Sequence, residues 1–228
     1  MDIQLHYIEA GEGFPLVLLH GNGSSLDYFQ NQIEYFSKAY HVYAVDTRGH
    51  GKSPRGTAPF TIRQFAEDLH AFLEAHDLKK VHLLGFSDGG NIALTFALRY
   101  PQYIEKLILN GANLNTKGVK RHLQIPIEIG YRMAKLSAAK SPKAMKNCEM
   151  LGLMVNEPNI RFEQLQNLTM PTLVLVGSND MIKASHSEKI AAALPNAKLV
   201  TLKGGHCISK DNPKEYNQTV EDFLKGNV

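Results

Sequence analysis

The side chains of this 228-residue chain best suited to covalent chemistry are a serine, an aspartate and a histidine that lie far apart in the primary structure. Ser87 sits in Gly85-Phe86-Ser87-Asp88-Gly89-Gly90, a G-x-S-x-G pattern that follows the apolar run Val81 to Phe86 and opens a helical segment. A serine on so tight a strand-to-helix turn needs neighbours without side chains, because the two backbones approach closely and the hydroxyl then projects clear of both. The helix start beside it supplies free backbone N–H groups and a positive dipole end where negative charge would develop. Such a serine is suited to attack on an acyl carbon. It stays a poor nucleophile until a base, oriented by a carboxylate, takes its proton.

Ten histidines compete for the role of base. His206 stands out because Gly204-Gly205-His206 follows a strand predicted to end at Leu202, which puts a flexible loop at the same end of a sheet as Ser87. His20, His41, His70, His76, His82 and His122 lie within or beside predicted strands, helices or the basic segment described below, and are read as structural or solvated. The acid must follow a late strand and precede the histidine. Asp180 does so in Gly177-Ser178-Asn179-Asp180, whereas the strand end at Asn110-Gly111-Ala112-Asn113 has no carboxylate and Asp211 reads as a turn or capping residue before Pro213. Cys207 has neither an elbow nor a second base and is read as an ordinary thiol. The two cysteines, Cys148 and Cys207, show no metal spacing and exclude a disulfide framework.

These residues require elements that bring them together. Leu16 to His20, His41 to Val45, Val81 to Phe86, Ile104 to Leu109, Thr172 to Val176 and Lys198 to Leu202 read as buried strands. Between them run amphipathic helices, one with the apolar face Leu26, Phe29, Ile33 and Phe36, another with Ile62, Phe65, Ala66, Leu69, Phe72 and Leu73. Pro101 ends a helix that begins near Asp88. Strands alternating with helices predict an α/β fold with a mostly parallel sheet covered on both faces, and chemistry then collects at the carboxyl ends of the strands.

The alternation stops between residues 112 and 168, where helices around Glu128 to Ala139 and Ser141 to Leu153 are predicted but no strand. This segment leaves the sheet at its active end and is expected to form a short helical lid on a core made of residues 1–111 and 169–228. It holds nine Lys/Arg against four Asp/Glu, a net +5, while the remainder of the chain carries −2 of the overall +3. Lys117, Lys120, Arg121, Arg132, Lys135, Lys140, Lys143 and Lys146 read as a solvated face, with attraction of acidic substrates or a membrane surface as the alternative. Its Ile125, Ile129, Met150 and Met154 are candidates to line an acyl pocket, or to pack the lid against the body.

Composition narrows the function further. With 43% apolar and 21% charged residues the chain is an ordinary globular one, and a net charge of +3 is too small to indicate nucleic acid. No apolar stretch is long enough to span a bilayer and the start lacks a signal-peptide pattern, so a cytoplasmic protein without stable membrane insertion is expected.

The chain resembles the α/β-hydrolase superfamily of small serine esterases and lipase-like enzymes over nearly its whole length. The resemblance rests on His20-Gly21-Asn22-Gly23, on Asp46 to Ser53 in the form D-x-R-G-x-G-x-S, on the elbow at Ser87 and on the loops of Asp180 and His206. It implies that the first strand here, expected over Ile3 to Ile8, is the family's second, with the first hairpin truncated and a sheet of seven or eight strands. It also implies Ser87 as nucleophile, Asp180 as acid, His206 as base, and the backbone N–H groups of Asn22 and Asp88 as the oxyanion hole. The expected activity is cofactor-free, metal-free hydrolysis of small-molecule esters or thioesters of small to medium acyl groups. Carbon–carbon bond hydrolysis and perhydrolase activity are alternatives on the same three residues, and a ligand-sensing protein is the non-enzymatic alternative. An aspartate at position 88 departs from many relatives. It reads as a first-turn helix residue or as a partner for the ammonium of an amino ester. Asp46, Arg48 and Ser53 read as a structural brace.

Overall fold

Alternate residues of the strand Phe14–Leu19 enter two different cores, Val17 and Leu19 on one side and Leu16 and Leu18 on the other. That is the signature of a sheet covered on both faces, and it explains why the central strands read as unbroken apolar runs. A computed structural model describes residues 2–227. Its strands are β1 (Tyr7–Ala10), β2 (Phe14–Leu19), β3 (Tyr40–Val45), β4 (Val81–Phe86), β5 (Ile104–Asn110), β6 (Thr172–Gly177) and β7 (Ala197–Leu202). They form one sheet in the order β1-β3-β2-β4-β5-β6-β7. β1 runs antiparallel to β3, and every other pair is parallel.

The helices are α1 (Gln30–Phe36), α2 (Ile62–Ala75), α3 (Asp88–Arg99), α4 (Arg121–Ser137), α5 (Pro142–Asn156), α6 (Ala184–Ala193), α7 (Ile208–Asp211) and α8 (Pro213–Lys225). The predicted apolar stripe of α2 is buried, together with α3 and α6, on one face of the sheet; α1 and α8 cover the other. Thr61 starts α2 by accepting from the Gln64 N–H through its side chain at 3.1 Å. Among the described residues no helix is long and apolar enough to cross a membrane.

Two expectations need correction in detail. The first strand was expected over Ile3 to Ile8 but is Tyr7–Ala10, because Ile3 and Leu5 are drawn into the core while their backbone stays outside the ladder. The sheet has seven strands. The first helix of the 112–168 segment begins at Arg121 rather than near Glu128 and runs through Pro126; proline removes a single N–H, and the helix continues on either side of it. Of this segment α4 and most of α5 stand out from the body, since Leu114, Ile160, Leu165 and Leu168 at its two ends, and Leu153 of α5, belong to the core.

The brace anticipated at residues 46–53 is present. Asp46 accepts from the N–H groups of Leu26 (2.7 Å) and Lys52 (2.9 Å), and Ser53 Oγ donates to the Asp46 carbonyl at 2.7 Å. Arg48, fully buried, donates two bonds of 2.7 Å to Asp68 and further bonds to Asp2. Its carboxylate partners hold the guanidinium pKa above its ordinary value, against the opposing effect of burial. Arg48→Met would leave Asp68 buried with only Gln64 as a hydrogen-bond donor. The variant is expected to lose about 3–5 kcal/mol of stability, read as a lower urea midpoint at unchanged slope.

Candidate active site

The site is assembled where strands end. Ser87 follows β4 directly and has φ 53° and ψ −119°, a strained backbone for a residue with a side chain. The neighbours that make the turn possible are glycines: a Cβ on Gly85 would sit 2.2 Å from the Gly89 carbonyl oxygen, and one on Gly89 would sit 2.0 Å from that of Leu19. Strand and helix are therefore in backbone contact. The Ser87 side chain has nowhere to point but outward, toward the loop after β7.

That loop carries His206. Its Nε2 lies 3.0 Å from Ser87 Oγ, and its Nδ1 lies 2.6 Å from Asp180 Oδ1, in the loop after β6. A carboxylate only accepts, so the Nδ1 position carries the proton and Nε2 is left to accept from the serine hydroxyl. Asp180 is 3% exposed and is held by the Ile182 N–H, which donates to Oδ1 at 2.9 Å. The imidazole is 17% exposed and so keeps access to water.

Asp88 and Asn22 border the same space. The first ladder bond of α3 runs from the Asn91 N–H to the Ser87 carbonyl at 3.1 Å, so the N–H groups of Asp88, Gly89 and Gly90 have no intrahelical acceptor. Asn22 lies in the loop after β2, which buried His20 anchors by bonding to the Gly21 carbonyl (2.8 Å) and accepting from the Thr47 N–H (3.1 Å). Burial lowers the pKa of His20 and keeps it a neutral brace. The Asn22 side chain donates to the Met150 carbonyl on α5 at 2.7 Å, which ties this loop to the helical segment.

A narrow cavity of about 30 Å³ lies over Ser87, lined among others by Asn22, Asp88, Gln124, Met154 and Glu157. Its wall is rich in acceptors. Asp88 is 8% exposed; Asn91 Nδ2 donates to its Oδ1 at 2.9 Å, and its Oδ2 is buried with no partner among the described residues. Burial pushes the Asp88 pKa up to about 6, the Asn91 hydrogen bond opposing and the nearby Glu157 adding to it. The Gln124 Oε1 is likewise buried and unpartnered, while its Nε2 donates to the Met154 carbonyl at 3.3 Å. Glu157 accepts from the Ile62 N–H at 2.6 Å, and burial raises its pKa.

Ser87, Asp180 and His206 are thus brought together, and Asn22, Asp88 and Met154 border the same cavity. Met150 reaches the site through its backbone carbonyl, and its side chain lines a separate gap between α4 and α5. Ile125 and Ile129 are 39% and 52% exposed and do not line the cavity over Ser87, because α4 turns that face outward. Gln124 and Glu157 were not anticipated. The one signal for Gln124 is a polar residue between Leu123 and Ile125; for Glu157 there was none beyond its place before Pro158.

A family model described as alpha/beta hydrolase fold matches residues 15–131. Among curated proteins, the (E)-2-((N-methylformamido)methylene)succinate hydrolase of Acinetobacter baylyi is 26% identical, the alignment covering 96% of this chain and 94% of that one. The serine hydrolase BPHL of Homo sapiens is 30% identical over 98% of this chain and 84% of its own. Among solved structures, a hydrolase from Pseudomonas aeruginosa is 27% identical with a TM-score of 0.79, covering 97% of this chain and 94% of that chain.

Proposed function

Because the chain belongs to the alpha/beta hydrolase family, we propose that it is a serine hydrolase cleaving carboxylic esters or thioesters, amino esters included, through an acyl-enzyme. The observation that carries this reading is the continuous hydrogen-bond chain from Ser87 Oγ through His206 to Asp180, at 3.0 and 2.6 Å, on a strained elbow. In the first half-reaction His206 takes the Ser87 proton as Oγ attacks the acyl carbon. The N–H groups of Asn22 and Asp88 stabilise the oxyanion, an effect typically worth about 3 kcal/mol per donor. His206 then protonates the departing alcohol or thiol. In the second half-reaction it activates water against the acyl-enzyme, and Ser87 leaves with its proton restored.

The test is a fluorophosphonate probe combined with a panel of p-nitrophenyl esters of graded chain length. Labelling confined to Ser87, together with turnover of short-chain esters, is the expected result, since the cavity is narrow. A native protein that is neither labelled nor active on any ester or thioester would sink the proposal.

The Asp88 side chain extends the reading to amino esters. An unpartnered buried carboxylate oxygen beside a reacting centre would repel an anionic transition state unless a cation or donor meets it, and an α-ammonium group supplies that donor. Asp88→Asn is expected to lower the amino-to-neutral ester ratio of kcat/KM by about 30-fold, the worth of a charge-assisted hydrogen bond of about 2 kcal/mol. In the unsubstituted protein the same ratio should fall as pH drops through about 6, where Asp88 takes up its proton. Taking a ratio cancels the titration of the base, which both esters share. If Asn slows both esters equally, Asp88 has no part in selecting the substrate.

A further inference from the structure

A second cavity, of about 230 Å³, adjoins the one over Ser87 and shares Val119 and Gln124 with it. Its other lining residues include Lys117, Arg121, Ile125, Lys183 and a single carboxylate, Glu128, so Ile125 borders this outer cavity although it does not reach the one over Ser87. The two cavities differ in electrostatic character: the inner one presents free acceptor oxygens, and the outer one carries three cations against one acid. Lys183 is pre-positioned there, because its Nζ donates to the Lys117 carbonyl at 2.8 Å. One ammonium proton is committed by that bond, and two remain.

The backbone adds to the field. Lys120 begins the 17-residue α4 without a side-chain cap, and its carbonyl accepts from the N–H groups of Leu123 and Gln124, both at 3.0 Å. The N–H groups of Arg121 and His122 precede those first bonds, so the positive end of the helix opens beside the cavity. Gln124 supplies the independent pointer to a ligand. It is 5% exposed, its Oε1 has no partner among the described residues, and it lines both cavities. A buried acceptor left unpaired costs free energy that a donor on a bound molecule recovers.

We propose that the cavity bordered by Lys117, Arg121 and Lys183 binds an anionic group, a carboxylate or phosphate, carried by the substrate at the end remote from its reacting carbonyl. The proposal rests on the hydrolase reading of Ser87. The substrate then spans both cavities, with its acyl carbon at Ser87, its polar middle beside Gln124 and its anion at the outer rim. The net +5 of residues 112–168, against −2 for the rest of the chain, adds attraction of an acidic ligand toward this side of the molecule.

The experiment compares acetate esters of 4-hydroxyphenylacetate, of its phosphonate analogue and of 4-hydroxyphenylacetamide, whose leaving groups have similar acidity and differ in charge. The expected kcat/KM is about tenfold higher for an anionic ester than for the amide at low salt. The carboxylate and phosphonate arms identify which anion the site prefers. That advantage should shrink as ionic strength rises toward about 0.5 M, where screening acts over only a few ångströms. In the triple variant Lys117→Gln, Arg121→Gln, Lys183→Gln it should be lost. Equal rates for all three esters, or an advantage untouched by both salt and the triple variant, overturns the anion site. Fluorophosphonate labelling of Ser87 in the same samples separates the two levels: with labelling intact only the anion site falls, and with the unsubstituted native protein unlabelled the hydrolase reading falls with it.

Discussion

Replacing Ser87 by alanine is expected to reduce ester turnover on the order of a million-fold while leaving the fold intact. The loss is large because Ser87 would form the covalent bond to the acyl group, and no neighbouring oxygen can take its place at the end of β4. Alanine keeps the Cβ, so the backbone strain at φ 53° is unchanged and no cavity opens in the core. His206 loses one partner at Nε2, but the ring is partly exposed and water can replace it. Thermal unfolding should therefore match that of the unsubstituted protein within about 1 kcal/mol. The nearby competitor is Cys207, adjacent to His206 and exposed as a residue, yet partial desolvation of its thiol and the neighbouring Asp211 raise the thiol pKa and keep the thiolate scarce. Activity of the Ser87→Ala protein above about 1% of the original, removed by a further Cys207→Ser change, would transfer the nucleophile to the cysteine and end the proposed mechanism.

Asp180→Asn is expected to lower kcat about ten-thousand-fold with little change in KM. The carboxamide has nearly the shape of the carboxylate, so Ile182 can keep its 2.9 Å bond to the carbonyl oxygen. What changes is the charge beside the imidazole. Oδ1 accepts from both the Ile182 N–H and His206 Nδ1, so the amide oxygen that keeps the first bond also faces the ring, and what is lost is the negative charge that stabilises the imidazolium formed when His206 takes the Ser87 proton. Protein stability, KM and fluorophosphonate labelling after long exposure should report an intact site, and the kcat loss should report the missing charge. In the unsubstituted protein, proton NMR should show a strongly deshielded Nδ1 proton from the 2.6 Å contact with Asp180, moved upfield in the variant where the acceptor is neutral. A variant retaining a tenth of the original kcat would remove Asp180 from the role of orienting acid.

The parts of the molecule that were legible in the sequence are those governed by local chemistry. The elbow was readable because Gly85 meets the backbone of Gly89 within a few residues of Ser87, although Gly89 is itself demanded by the close approach of Leu19 on β2. Asp180 and His206 were readable because each follows an apolar run, and in a parallel sheet successive strand ends lie side by side. The brace of Asp46, Arg48 and Ser53 belongs to the same class, its hydrogen bonds closing within a glycine-rich turn apart from those to Asp2, His6, Leu26 and Asp68.

The helical segment between residues 112 and 168 was the opposite case. Its apolar residues recur at helical spacing, but spacing alone does not say which face meets the body. Docking of α4 sends Ile125, Ile129, Met133 and Leu136 outward and leaves Gln124 as its one buried residue. Glu157 reaches the same cavity only because its carboxylate binds the start of α2, 95 residues away in the chain.

The succession of strands and helices along the chain, the elbow and the three polar residues singled out at strand ends were therefore legible in the sequence itself, since periodicity and turn chemistry act over short distances. The composition of the cavity walls, the unpartnered oxygens of Asp88 and Gln124 and the cation-lined space beside them were decided only by tertiary packing. Desolvation and electrostatic fields depend on which distant segments close over a group, and no local pattern records that.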